Sequence, residues 1–389
     1  MTARRAVLLI LDGVGIGAAR DAAAYDDLGS DTLGNVARAL AGLDLPHLAA
    51  LGLGCIAPLV GVPPTASPRA AFGSMHPASA GKDSTTGHWE ICGVHLERAF
   101  PTYPTGFPRE LVSAFERATG RASIGNIAAS GTEIIARYAQ EQRRSGAWIV
   151  YTSADSVFQI AADEDVISLS DLYAACQTAR ELLVAPYNVS RVIARPFVRE
   201  EGGYRRTANR RDYSLAPPAE TLLDTLAASG IGRYGVGKVD DLFAQRAIAS
   251  LHTASNEEGI AAITGFIRGP DSGLCFANLV DFDQLYGHRN DVAGFYRALR
   301  VFDRAVPMFI DALREDDLLI ITADHGNDPT TPSTDHSRER VPLLVVGPRI
   351  AGRALGERPT FSDVGATLGE WFGVQYAGHG GSFLGEVLA

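Results

Sequence analysis

The sequence predicts an α/β protein with a doubly wound, mainly parallel sheet and an inserted α+β domain. Three observations predict it. Continuous apolar runs rich in Val, Ile and Leu recur at 6–11, 276–280, 318–322 and 341–346, as expected of strands buried on both faces. Helical patterns separate them, among them a stretch at 292–313 with apolar residues at three-to-four spacing. Between Pro101 and about Leu215 the texture changes and Pro-rich joints flank the segment. The expected organisation is a core of 1–100 and 216–389 interrupted by an inserted domain at 101–215.

Composition narrows the class. A chain of 389 residues with 46% hydrophobic and 21% charged residues buries a large core and is not disordered. The formal charge of −10 argues against a nucleic-acid surface. No apolar run approaches the roughly 18 residues of a membrane span. Two arginines precede the first apolar run, but Asp12 follows after six residues and no cleavage site appears, so a buried strand is expected, not a signal peptide. Four scattered cysteines without a CxxC pair read as reduced thiols. A soluble cytoplasmic protein is expected, with no nucleic-acid, membrane or protein partner.

The run 6–11 ends in Asp12-Gly13-Val14-Gly15-Ile16-Gly17-Ala18. This fits the dinucleotide fingerprint GxGxxG/A, but no clean strand-end acidic residue lies about twenty positions on. An Asp at a strand end also suits a metal. Asp31 caps an expected helix that stops near Gly42.

Next comes Gly81-Lys82-Asp83-Ser84-Thr85-Thr86-Gly87-His88-Trp89-Glu90, a loop entering a helix. It would set Ser84 at a helix N-terminus, where free N–H groups favour phosphate. A serine hydroxyl is a weak nucleophile without a base or metal, and no GxSxG elbow is present. A plain polar helix cap is the alternative.

In the inserted segment, Pro in the first turn and Gly120 beyond the end bracket a helix at 108–119. A Gly-Ser loop is expected at 126–132, a strand at 148–155, a helix at 171–183 and a strand at 191–197. An arginine-rich stretch follows up to Pro217-Pro218. Arginines in an acidic protein imply an anionic ligand, and the guanidinium suits phosphate. A solvated basic face is the simpler reading of Arg210 and Arg211. The core then resumes with a helix at 219–229, a strand at 231–236 and Lys238.

Asp12, Asp283 with His288, and Asp324 with His325 then His336 each follow a strand-like run. Parallel strands gather such ends on one sheet edge. Three carboxylates and three imidazoles are about the right number for two divalent ions, which would activate Ser84 for attack on phosphorus.

These residues carry a resemblance that runs almost end to end. The segments LDGVGIG, SDTLGN, GKDSTTGHWEICG, ASGTEII, VYTSADSVFQIAA, RVIARPF, RRDY, NLVDFDQLYGHRND, ITADHGNDPTTPSTDH and GSFL resemble the phosphopentomutase family of the alkaline-phosphatase superfamily. The resemblance implies an alkaline-phosphatase-type fold and an isomerase of pentose phosphate metabolism. That enzyme would interconvert ribose or deoxyribose 1-phosphate and 5-phosphate through a phosphoserine and a bisphosphate intermediate. It places Asp12, Ser84, Asp324 and His325 around one metal and Asp283, His288 and His336 around the other, typically Mn²⁺. A sugar bisphosphate would be the activator. Ser84 matches the phosphoryl-carrying threonine of the family. Substrate contacts would fall on Ser153, Asp155, Arg191 and Ile193, with Arg206 near a phosphate and Lys238 on the core side.

Departures from the family pattern are Ser84 for threonine, a glycine-free VDDLFAQRAI after Lys238, Arg20 and Asp26 for proline and glycine, and Ile127-Ala128 for Lys-Pro. Apart from Ser84 itself, none falls on an expected metal ligand. The alternatives are a mutase for another pentose or modified sugar phosphate, a metal-dependent phosphatase or phosphodiesterase, and a non-catalytic sugar-phosphate binder.

Overall fold

The structure is a computed structural model and describes residues 4–153 and 156–389. The chain divides into two compact units, one of 1–99 and 217–389 and the other of 100–216.

In chain order the strands are β1 (Arg5–Leu11) and β2 (Ala71–Met75) in the first unit. The second unit holds β3 (Ser123–Ala128), β4 (Trp148–Thr152), β5 (Val157–Asp163), β6 (Arg191–Glu200), β7 (Gly203–Arg206) and β8 (Arg211–Ser214). The first unit then continues with β9 (Arg233–Val236), β10 (Ala249–Leu251), β11 (Gly273–Leu279), β12 (Asp317–Thr322), β13 (Val341–Val346) and β14 (Ala354–Arg358).

The first unit is built on an eight-stranded sheet, β10-β9-β11-β1-β12-β13-β2-β14. β1 lies between β11 and β12 in parallel register, and all three are buried along their length. Their apolar runs therefore face helices on both sides, as a parallel sheet requires. Helices Thr32–Ala39, Pro46–Leu51 and Asn256–Arg268 pack with Val292–Ile310, while Ser84–Ile91 and Leu222–Ala228 pack with Ser362–Phe372. The mainly parallel α/β class is the one expected. β13 differs from the expected parallel pattern, since it pairs antiparallel with both β12 and β2. That reversal brings residues 336–340, which precede β13, back to the edge where β12 ends.

At the opposite end of β1, the buried Arg5 pairs with Asp317 and donates to the carbonyls of Phe266 and Gly269, both at 3.3 Å. These bonds satisfy a charge that burial would otherwise penalise.

The second unit is a six-stranded mixed sheet, β3-β4-β5-β6-β7, with β8 also on β6. Its two apolar clusters centre on Phe115, Trp148 and Phe158, and on Ile134, Tyr151 and Phe197. The expected loop at 126–132 is corrected here. Its first residues belong to β3, and Gly131 starts the helix Gly131–Ser145. The strand is hard to see because it is irregular: Gly125 has φ 90°, Asn126 has φ 51°, and the register shifts between Gly125 and Ile127.

Residues 12–21 carry no helix, and the next element is a single 3-10 turn at Ala22–Tyr25. The dinucleotide fingerprint thus lacks the helix that would bind a pyrophosphate. Among the described residues no helix is long and apolar enough to cross a membrane.

Candidate metal centre and nucleophile

Asp12 follows the last residue of β1, Asp283 lies just beyond β11, and Asp324 and His325 just beyond β12. Adjacent parallel strands bring these side chains together. Asp12, Asp324 and His325 form one buried group; Asp283, His325 and His336 form another, with the ligand atoms of each within 4.8 Å of one another. The imidazoles of His325 and His336 are 4.1 Å apart between ring centres. His288 lies beside the second group, its Nε2 3.2 Å from Oδ2 of Asp283.

Ser84 opens the helix Ser84–Ile91, whose N-cap Asp83 accepts from the backbone N–H of Thr86 at 3.1 Å. The Ser84 Oγ is 3.1 Å from Nε2 of His325 and 3.5 Å from Oδ1 of Asp12. The Thr86 hydroxyl is committed elsewhere, donating to Asp83 at 2.6 Å. Gly87 allows this helix to touch the end of β12, because a Cβ there would lie 2.1 Å from the Asp324 carbonyl oxygen.

The donor set fits divalent metal. Carboxylate oxygens and imidazole nitrogens suit Mn²⁺ or Zn²⁺. His325 Nδ1 donates to the Gly326 carbonyl at 3.0 Å and His288 Nδ1 to the Thr334 carbonyl at 2.6 Å. In each ring Nε2 is left to serve as the ligand. Oδ2 of Asp324 and Nε2 of His336 are buried and make no hydrogen bond.

Electrostatics agree with the geometry. Burial pushes the Asp12 carboxyl up, but the Lys238 ammonium 2.7 Å away and His325 hold it well below the usual carboxylate range. Burial likewise opposes charge on Asp283, and His336 and His288 reverse the effect. Burial disfavours the His325 cation, yet Asp324, Asp12 and Asp283 push its pKa up to about 10. The proton they hold on the ring is what a cation would displace. Burial lowers and Asp12 and Asp283 raise the pKa of Lys238, with a net increase.

Several residues that serve this site are not evident from sequence alone. Asn327 donates from Nδ2 to Oδ1 of Asp283 at 2.7 Å. Glu339 accepts from the Thr32 hydroxyl at 2.7 Å, the Thr32 N–H at 2.9 Å and the Ser337 hydroxyl at 2.7 Å; burial pushes its pKa up to about 7. The buried Arg338 pairs with Asp21 and donates to the carbonyls of Pro77, Ser79 and Gly81, fixing the loop that leads to Ser84. Their only sequence signal is closeness to His325 and His336.

In the second unit Arg191 begins β6, with Nη1 3.6 Å from Oδ2 of Asp212. Ile193 is buried in the same strand. Arg206 ends β7, and its guanidinium lies beside Gly131, at the start of the helix Gly131–Ser145, near the Tyr151 hydroxyl. Arg210 pairs with Asp212 at 2.7 Å and Arg211 lies over Tyr173 and Tyr213. Ser153 follows β4. Asp155 lies outside the described residues.

Residues 4–376 match the family model of the Metalloenzyme superfamily, and the chain belongs to that superfamily. It is 54% identical over 388 residues to the phosphopentomutase of Desulfitobacterium hafniense (strain DSM 10664 / DCB-2), covering 99% of this chain and 100% of that one. With the phosphopentomutase of Anaeromyxobacter dehalogenans (strain 2CP-1 / ATCC BAA-258) it shares 55% identity over 386 residues, 99% of each chain. Within the superfamily the chain belongs to the phosphopentomutase family. The structure of the PH0037 protein from Pyrococcus horikoshii has a similar fold, with a TM-score of 0.50 at 15% identity and coverage of 96% of this chain and 98% of that chain.

Proposed function

We propose that this chain is a phosphopentomutase, an isomerase that interconverts ribose or deoxyribose 1-phosphate and 5-phosphate by way of a phosphorylated Ser84. The observation that carries the reading is Ser84 at a helix N-terminus, its Oγ 3.1 Å from His325 and 3.5 Å from Asp12. Asp12, Ser84, Asp324 and His325 would hold one divalent ion and Asp283, His288 and His336 the other, with Mn²⁺ the expected metal. When bound, the pair of ions lowers the pKa of the Ser84 hydroxyl and neutralises phosphate charge.

The chain's own residues do the rest. Phosphoserine 84 transfers its phosphoryl group to O5 of ribose 1-phosphate; the P–O bond to Oγ breaks as the bond to O5 forms. The 1-phosphate of the bisphosphate then returns to Oγ, its bond to O1 breaking as the bond to Oγ forms and the Oγ–H proton passing to O1, and ribose 5-phosphate leaves. Free N–H groups at the start of the helix Ser84–Ile91 and the Lys238 ammonium stabilise the charge on the transferring group. In the inserted unit Ser153, Asp155, Arg191, Ile193 and Arg206 bind the sugar phosphate. A sugar bisphosphate primes the enzyme by phosphorylating Ser84.

Peptide mapping after incubation with sugar bisphosphate tests the reading. Phosphate on Ser84 supports it; phosphate on Thr85 or Thr86 refutes the assignment of the nucleophile. Steady release of inorganic phosphate from ribose 1-phosphate would make the chain a phosphatase.

A further inference from the structure

Next to the proposed ligands lies a histidine for which the mechanism gives no task. His88 is fully buried, one helical turn beyond Ser84. Its ring stacks on Phe276 of β11, 5.6 Å between centres. Nδ1 is 2.9 Å from the Ser84 carbonyl oxygen and 3.1 Å from Oδ2 of Asp324. A carbonyl oxygen only accepts, so Nδ1 carries a proton. Nε2 is 3.1 Å from Nδ2 of Asn278, which only donates, so Nε2 is the acceptor. The ring is thereby set with Nδ1–H as the donor toward Ser84 and Nε2 toward Asn278.

The N–H points at the Ser84 carbonyl, and Oδ2 of Asp324 lies off that axis, close enough to feel the same proton. This oxygen makes no hydrogen bond and keeps its lone pairs for a metal. One N–H therefore sits between the main chain of the nucleophile and the carboxylate of a ligand. A histidine placed here only to fill the core would need neither contact.

We propose that His88 is a positioning residue that fixes Asp324 relative to Ser84 through its Nδ1–H, with Asn278 setting the tautomer. The inference rests on the reading of Asp324 as a metal ligand, and its test separates the two. Metal is stripped from the full-length parent and from His88→Asn, His88→Gln, His88→Phe and Asp324→Ala. Mn²⁺ is then titrated back and the free ion read from its electron paramagnetic resonance signal. The Asn amide reaches the place of Nδ1, the Gln amide that of Nε2, and Phe keeps the stacking without a donor.

The expected result is Mn²⁺ binding within about threefold of the parent for His88→Asn, and weaker by about 10–100-fold for His88→Gln and His88→Phe, the range for loss of a ligand-orienting contact. Binding by His88→Gln equal to the parent overturns the proposal, and so does His88→Asn as weak as His88→Gln. If the Phe variant does not fold, the Asn and Gln pair still decides. Parent-like binding by Asp324→Ala would instead remove Asp324 from the ligand set.

Discussion

Lys238→Met removes the cation that pairs with Asp12. The ammonium is 2.7 Å from Oδ2 of Asp12, where opposite charges attract by roughly 6 kcal/mol at an effective dielectric of about 20, before any desolvation cost. Removing one partner of a buried pair costs about 3–5 kcal/mol, and solvent screening trims that for a partly open lysine, which leaves about 2–4 kcal/mol. The Lys238 side chain is 28% exposed, whereas Asp12 is fully buried. The lysine pKa is raised and the aspartate pKa lowered, so the pair is intact at pH 7.5. It is lost only as pH falls through the lowered Asp12 value or rises through the raised Lys238 value. For a unit of this size each kcal/mol moves the melting temperature by roughly 2–4 °C. The assay is thermal unfolding of parent and variant, in chelator and in saturating Mn²⁺. The predicted loss is several degrees in chelator and much smaller in Mn²⁺, since the bound ions supply the charge that Asp12 then lacks. An equal loss in both conditions, or none in chelator, would refute the reasoning.

Ser84→Ala is expected to abolish phosphoenzyme formation with an unchanged melting temperature, and Ser84→Thr to retain activity; mass spectrometry and the mutase assay read both. Arg191→Ala should raise KM for the sugar phosphate by about tenfold or more, as for loss of a charged hydrogen bond, and leave Mn²⁺ titration unchanged. Ala247 has φ 61° in the glycine-free stretch after Lys238. Ala247→Gly should stabilise by about 0.5–1 kcal/mol, because relief of a left-handed residue worth about 1–2 kcal/mol exceeds the entropic cost of glycine; denaturant titration checks the sign. The His325 pKa is raised from 6.5 to about 10, so its contribution in metal-free protein is complete below pH 6.5 and disappears as pH rises through 10. Unfolding in chelator should show stability falling across that window by at most about 5 kcal/mol, and a flat profile would contradict the shift.

The candidate metal-binding edge was legible because β1, β11 and β12 carry the apolar runs 6–11, 274–277 and 318–321, and a carboxylate follows each strand within a few residues. Ser84 was legible because Asp83 and the hydroxyl run mark a helix start. Other features depend on contacts far apart in sequence. β2 contains a glycine and β14 is a largely exposed edge strand, so neither shows an apolar run. The reversal of β13 has no local sign, and it is what brings Arg338 to the loop at Ser79 and Glu339 to the helix start at Thr32. β7 and β8 are four residues each and half exposed, too short to register against a background of arginine and tyrosine. The tautomer of His88 depends on Asn278, 190 residues away.

The most direct test of the central claim is conversion of ribose 1-phosphate to ribose 5-phosphate by the purified chain, with Mn²⁺ and a trace of sugar bisphosphate, while inorganic phosphate is measured in the same reaction. The account predicts conversion that depends on the bisphosphate and yields no free phosphate. Release of phosphate in step with substrate loss, or no turnover of the pentose phosphate, would contradict it.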